Sequence, residues 1–362
     1  MSLRYEEVAR LQRGLRGGVS AVAFSSDGTY IATAGMEDRT VYIWRVEDSK
    51  LLHTYTGSDC PFLSLEWMPD RSDTIFCGSS DGHISVLRFG SDITAVSGFW
   101  AHDYPIERLA AKEDQLVSGA HREVSVWQQL NRGGWSHVVN LDGPSTDSKN
   151  AEEEFIVMGI HWTKTRAYKS VVVLTYMHHG IVIYDSTTWS LLQVIPFSDI
   201  GASSMSPLGS TIALSIMGAG FDLYDLDSGV CLASFADESD GQRTVPVLLV
   251  HGGRALLGGG TAGRATLWNV HNKRIHQRFT PEPYDTILAI AAHYNYGLDQ
   301  FLVATGASDT EGNSAVVIWM ARPDAPRKPR RQCRWVLISC FVFPVLVCIA
   351  AAVFITVMED VL

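Results

Sequence analysis

One short pattern recurs seven times along this chain and limits its folding choices more than any other feature. It is an apolar segment of four residues, usually closed by an aromatic side chain. The copies are Val41-Tyr42-Ile43-Trp44, Ile84-Ser85-Val86-Leu87, Val124-Ser125-Val126-Trp127 and Ile181-Val182-Ile183-Tyr184, then Phe221-Asp222-Leu223-Tyr224, Ala265-Thr266-Leu267-Trp268 and Val316-Val317-Ile318-Trp319. They start 43, 40, 57, 40, 44 and 51 residues apart. A second apolar segment and a polar turn precede each copy, as in Tyr30-Ile31-Ala32-Thr33 and Gln115-Leu116-Val117-Ser118, with turns such as Asp81-Gly82, His179-Gly180 and Ala262-Gly263. Apolar alternation between Gly- and Asp-rich turns predicts β-strands. A repeat of about 40 to 45 residues is the length of one four-stranded propeller blade. The expected fold class is therefore all-β, a seven-bladed β-propeller.

The ends of the repeat array predict how the ring closes. A fourth strand-like stretch follows six copies, at residues 51–55, 93–97, 135–141, 191–197, 231–235 and 275–279. The seventh copy runs instead into Pro323-Asp324-Ala325-Pro326. Residues 5–11 look like a strand without a partner, and are expected to complete the last blade and remove its open edge. Residues 142–154 and 308–314 are expected to form surface loops.

The order of apolar strand, Ser25-Ser26-Asp27-Gly28 turn, apolar strand, turn and a strand ending in Trp44 resembles the WD-repeat family. The resemblance covers roughly residues 5–322 and implies a divergent member. The tryptophans are followed by Arg45, Gln128, Asn269 or Met320, and only Tyr184-Asp185 and Tyr224-Asp225 keep an acid. The family's Gly-His pair is absent. The hydrogen-bonded network of Ser/Thr, His, Asp and Trp that such repeats carry is therefore not expected here.

Charge divides the chain. Arg327, Lys328, Arg330, Arg331 and Arg334 crowd five positive charges into eight residues. Residues 1–326 hold 24 basic and 37 acidic side chains, a net charge of about −13. A body so acidic lacks the basic surface that nucleic acid requires. Six cysteines occur without a C-x-x-C pair, so no zinc site or disulfide framework is implied. No N-x-S/T acceptor occurs, and Met1 to Glu7, which lack an apolar core, are not expected to act as a signal peptide.

Between Trp335 and Met358 the chain runs 24 residues without a charge. As a helix this run would span about 36 Å, enough to cross a bilayer. Pro344 is tolerated in such a helix. Basic residues before it and Glu359 and Asp360 after it place the body in the cytosol. The expected organisation is a propeller over 1–322, a basic Pro/Arg linker over 323–334, a transmembrane helix over 335–358 and a short luminal tail over 359–362. A span this near the terminus is expected to insert as a tail anchor. Its length and acidic flank favour the endoplasmic reticulum or a later secretory membrane over the mitochondrial outer membrane.

Catalytic motifs are sparse. Gly258-Gly259-Gly260-Thr261-Ala262-Gly263 fits G-x-G-x-x-G, but a strand ending in Trp268 follows instead of the helix that would hold a pyrophosphate, so it is expected to be a turn. No Walker motif, nucleophile elbow or H-E-x-x-H occurs. The expectation is no enzyme, no metal and no cofactor. His83, His121, His178 and His179 fall in the turns before the third strands of the second to fourth repeats, and Arg39, Arg122 and Arg264 occupy equivalent turns. A metal site is the sharper reading of the histidines. A polar protein-contact surface is the plainer one and is taken here.

The expected function is a membrane-tethered interaction scaffold, monomeric in its body, binding protein partners and the lipid bilayer. The alternative is a regulator of a small GTPase. A cytosolic propeller followed by one span resembles the exchange factor that recruits a coat-assembly GTPase to the endoplasmic reticulum. The Gly-rich, Asn-terminated potassium loop of that family has no counterpart here.

Overall fold

The computed structural model describes residues 4–322, apart from 14, 58, 91–92, 132, 145–149, 151, 208 and 237–242. They form seven antiparallel sheets of four strands each. The innermost strands are Val19–Phe24, Phe62–Trp67, Arg108–Lys112, Val157–Thr163, Ile200–Met205, Val247–Val250 and Thr286–Asn295. Each contacts the next, and the last returns to the first, so the seven sheets close a ring. This is a seven-bladed β-propeller. All seven repeated segments lie in third strands, from Thr40–Arg45 in blade one to Ser314–Arg322 in blade seven.

The period of two explains the packing. In Thr40–Arg45, Val41 and Ile43 point toward blade two and meet Phe62, Ile75 and Leu87. Tyr42 and Trp44 point the other way and meet Leu302, Val316 and Ile318 of blade seven. Strands of a fully sandwiched sheet must be apolar on both faces, so their sequences read as continuous apolar runs. Seven such clusters fill the seven gaps between blades. Each buried Ile or Leu contributes about 1.5–3 kcal/mol, and no blade is stable without its neighbours.

The strand Arg4–Leu11 pairs antiparallel with Ser314–Arg322, Tyr5 opposite Ala321 and Leu11 opposite Val316. It supplies the outer strand of blade seven. Tyr5 also ties blade seven to blade six. Its N–H donates to Gln277 Oε1 at 2.9 Å, Gln277 Nε2 donates back to its carbonyl at 2.7 Å, and its hydroxyl lies 2.8 Å from His251 Nε2.

Some boundaries differ from expectation. The outer strand of blade two runs to Trp100, and that of blade four stops at Ile195. The turn at Ser25-Ser26-Asp27-Gly28 is as expected: Asp27 Oδ1 accepts from Ser25 Oγ at 2.7 Å and from Thr29 N at 2.9 Å. Among the described residues no helix is long and apolar enough to cross a membrane. The expected linker 323–334, span 335–358 and tail 359–362 lie outside the described residues.

Antiparallel order assigns every connection to one of two faces. Turns joining first to second and third to fourth strands open on one, here the hairpin face. Turns joining second to third strands, and the connections from blade to blade, open on the other, the crossing face.

Candidate functional site

All seven of the site residues expected from sequence fall on the crossing face, because each sits in or beside a turn between second and third strands. The structure does not gather the histidines. Each meets a group from a turn or connection of its own neighbourhood. Arg39 Nη1 reaches Asp59 Oδ1 at 3.1 Å, with the arginine side chain 56% exposed. His83 Nδ1 lies 3.4 Å from Asp81 Oδ1. His121 stacks on Tyr104 with ring centroids 4.9 Å apart, and its Nε2 is 3.6 Å from Glu154 Oε2. Arg122 covers the same Tyr104 ring, 5.7 Å from its centroid. His178 Nδ1 is 3.8 Å from Asp199 Oδ1, and its carbonyl accepts from Asn150 Nδ2 at 2.6 Å. Arg264 is half-buried.

His179 corrects the expectation of a contact residue. It is buried, stacked flat on Phe155 at 4.1 Å, and its Nε2 lies 3.1 Å from the Glu153 carbonyl. It holds Glu153 and Phe155 in place and has almost no exposed surface to offer a partner. Among the described residues no group of three His, Cys, Asp or Glu side chains could hold a metal ion.

A second correction concerns the hydrogen-bonded network. Blade three assembles one. Trp127 Nε1 donates to Ser118 Oγ at 2.8 Å, Ser118 Oγ lies 2.7 Å from His102 Nε2, and His102 Nδ1 lies 3.1 Å from Glu123 Oε2. An indole can only donate, so Ser118 accepts from it; the Glu123 carboxylate can only accept, so in the neutral imidazole Nε2 is bare and accepts from the Ser118 hydroxyl. Nδ1 then carries the ring proton and donates to Glu123. Burial pushes the imidazole below its ordinary value, more strongly than Glu123 beside it pulls it up. Gly82 prepares the position: its carbonyl accepts from Ala101 N at 2.9 Å and His102 N at 3.1 Å, and its φ is +83°. A Cβ at Gly82 would strike the His102 carbonyl. Its sequence signal is Trp100-Ala101-His102-Asp103, with Ala101 in place of the glycine and Glu123 in place of the aspartate of the WD-repeat pattern. Blades one and seven keep only the Trp–Thr half, Trp44 Nε1 to Thr33 Oγ1 at 3.1 Å and Trp319 Nε1 to Thr305 Oγ1 at 2.9 Å.

The inner strands enclose a cavity of about 600 Å3, whose lining includes Glu66, Arg108, His161 and Ser203. Burial pushes the Glu66 carboxyl up to about 7. It accepts from Ala111 N at 3.3 Å. Burial, with the Arg108 charge second, pushes His161 down to about 4. His161 Nε2 lies 2.8 Å from Ser203 Oγ, which also lies 2.7 Å from Thr175 Oγ1. Among the described residues no carboxylate orients the other ring nitrogen. An imidazole so weakly basic is a poor base for activating a serine at neutral pH. Arg108 donates Nε to the Met158 carbonyl and Nη1 to the Glu107 carbonyl, both at 2.8 Å, and so spans blades three and four. These groups brace the channel wall.

Residues 8–45 match the family model for the WD domain, G-beta repeat. That match begins inside the strand Arg4–Leu11 and ends with the third strand of blade one, so the sequence repeat is offset by one strand from the blade. A stretch of 163 residues is 26% identical to the ribosome biogenesis protein YTM1 of Phaeosphaeria nodorum. It covers 40% of this chain and 34% of that relative, so the chain spans about a third of the length of the curated relative it matches.

Proposed function

We propose that this chain is a non-catalytic interaction scaffold, held on the cytosolic side of a membrane by residues 335–358, and that its crossing face takes the protein partner. The observation that carries this reading is the set of accessible cationic and aromatic groups held on one rigid face: Arg39 at 56% side-chain exposure, His83 at 49%, and the Arg122–Tyr104–His121 stack. Arginine and tyrosine are frequent interface anchors. A propeller supplies the stiffness that keeps such groups in place. The relative is named for ribosome biogenesis. The acidic body of this chain argues against direct contact with RNA. The charge-free run of residues 335–358 supports the tether, and the basic cluster before it supports a cytosolic propeller at the endoplasmic reticulum or a later secretory membrane.

Proximity labelling with the full chain tests the scaffold. The wild-type chain should mark a defined set of proteins that Arg39→Glu/Arg122→Glu loses. An unchanged set rejects the crossing face. Carbonate extraction of microsomes tests the tether, since a spanning chain stays in the pellet. Protease added to intact microsomes should digest the propeller, and its protection would reverse the topology.

A further inference from the structure

The first hairpin of blade seven is unlike the other six. Its strands Thr286–Asn295 and Gln300–Ser308 are the longest of their kind in the described ring. Blades one and seven share the same bulge, between Val19 and Ala21 and between Ile287 and Ala289. Aligned on it, Phe24 corresponds to Ala292, and blade seven then continues through Asn295. Three more residues lift the tip about 10 Å farther out on the hairpin face. At that tip Tyr296 is 87% exposed and Leu298 64%, the two highest values among the exposed large apolar side chains of the described residues. The tip is braced. Tyr294 stacks on Phe301 at 4.3 Å and donates its hydroxyl to Asp299 Oδ1 at 2.7 Å, and Leu298 N donates to Asn295 Oδ1 at 3.1 Å. Tyr296 and Leu298 are therefore held outward by the surrounding bonds.

The rest of the surface is lopsided in the same sense. Leu130, Tyr168, Leu191, Val230, Leu232 and Ile275 are all exposed and lie in hairpin-face turns or at the hairpin-face ends of outer strands. From that set the crossing face exposes Met36 and Trp100, with Val194 near the crossing-face end of its outer strand. Exposed carboxylates lie on both faces, Asp59 and Glu154 on the crossing face and Asp48, Asp70, Asp114 and Asp299 among those on the hairpin face. The last described strand ends at Arg322, and Ala321 pairs with Phe301 beside the raised hairpin. The third strand of blade seven therefore ends on the hairpin face.

We propose that the hairpin face docks on the surface of a phospholipid bilayer, with Tyr296 and Leu298 entering its interfacial region. Tyrosine places its ring at headgroup depth with the hydroxyl wet, and leucine reaches the acyl boundary. The face carries both signs of charge, including Arg166 close to Asp225 and Asp227, so the fitting surface is zwitterionic. This proposal rests on residues 335–358 spanning the same membrane. It leaves the crossing face turned toward the cytosol.

The test uses the full chain in phosphatidylcholine vesicles carrying a photoactivatable phosphatidylcholine, with adducts mapped by mass spectrometry. Adducts are expected on the peptide containing Tyr294 to Phe301 as well as on 335–358. Tyr296→Ser/Leu298→Ser should lower the hairpin adduct at least fivefold and leave the 335–358 adduct unchanged, while Met36→Ser should change neither. Adducts confined to 335–358, or a hairpin adduct indifferent to the double substitution, overturn the docking and spare the span. Absence of adducts from 335–358, with release of the chain by carbonate, overturns the span itself.

Discussion

His102 Nε2 lies 2.7 Å from Ser118 Oγ, and this contact joins two blades. His102 stands in the connection leaving blade two, while Ser118 stands in the second strand of blade three. The pair completes a chain of donors from the Trp127 indole to the Glu123 carboxylate, in a wall where an unpaired polar group would be costly.

Removing the middle of that chain should be expensive. Ser118→Ala leaves the Trp127 N–H and His102 Nε2 without their partner, both in buried side chains. The expected loss is about 1–3 kcal/mol in urea unfolding. Glu123→Gln, which retains an acceptor for His102 Nδ1, should cost less. Equal stability of Ser118→Ala and wild type would show that the network carries no weight.

Opening the ring at Arg4–Leu11 should destabilise all of it. Deleting residues 1–11 exposes the edge of Ser314–Arg322 and removes Tyr5 from its site between blades six and seven. Thermal unfolding of the truncated chain should begin at a lower temperature and end in aggregation. Tyr5→Phe is the milder form, losing only the bond to His251 and about 1 kcal/mol.

Two histidines, His161 in the channel and His251 beside Tyr5, and the channel carboxyl Glu66 predict opposite pH effects. His161 and His251 are each pushed down to about 4 by burial, so the folded chain keeps them neutral while the unfolded chain protonates them near 6.5. Their contribution is complete above about pH 6.5 and is lost as the pH falls toward 4. Glu66 is raised to about 7, so the folded chain holds its proton while the unfolded chain releases it near 4.5. Its contribution is complete below about pH 4.5 and is lost as the pH rises through 7. Glu66→Gln should therefore stabilise the chain at pH 8, by on the order of 2 kcal/mol, and change little at pH 4. Stability curves of the two proteins that stay parallel across this range would refute the assignment.

The outer cationic groups should matter little to folding. Arg39 and Asp59 are both largely in water, so Arg39→Ala should shift stability by less than about 0.5 kcal/mol. A larger shift in thermal unfolding would mean that Arg39 serves the fold and is a poor marker for a contact surface.

Some of this could be read from residues alone, and the reason is locality. Strand alternation such as Val41/Ile43 against Tyr42/Trp44, and turns such as Asp27-Gly28, depend on neighbours within a few residues. The repeat spacing carries that local signal around the chain seven times, enough to predict a propeller of seven blades. The burial of His179 was not legible, because it depends on Phe155 from a loop whose path only packing determines. Nor was the bond from His102 to Ser118, which crosses sixteen residues and two blades and is formed only when the ring brings the connection over the sheet. The shifts of Glu66 and His161 likewise follow from enclosure by inner strands distant in sequence, since desolvation is a property of the assembled channel and not of any segment that lines it.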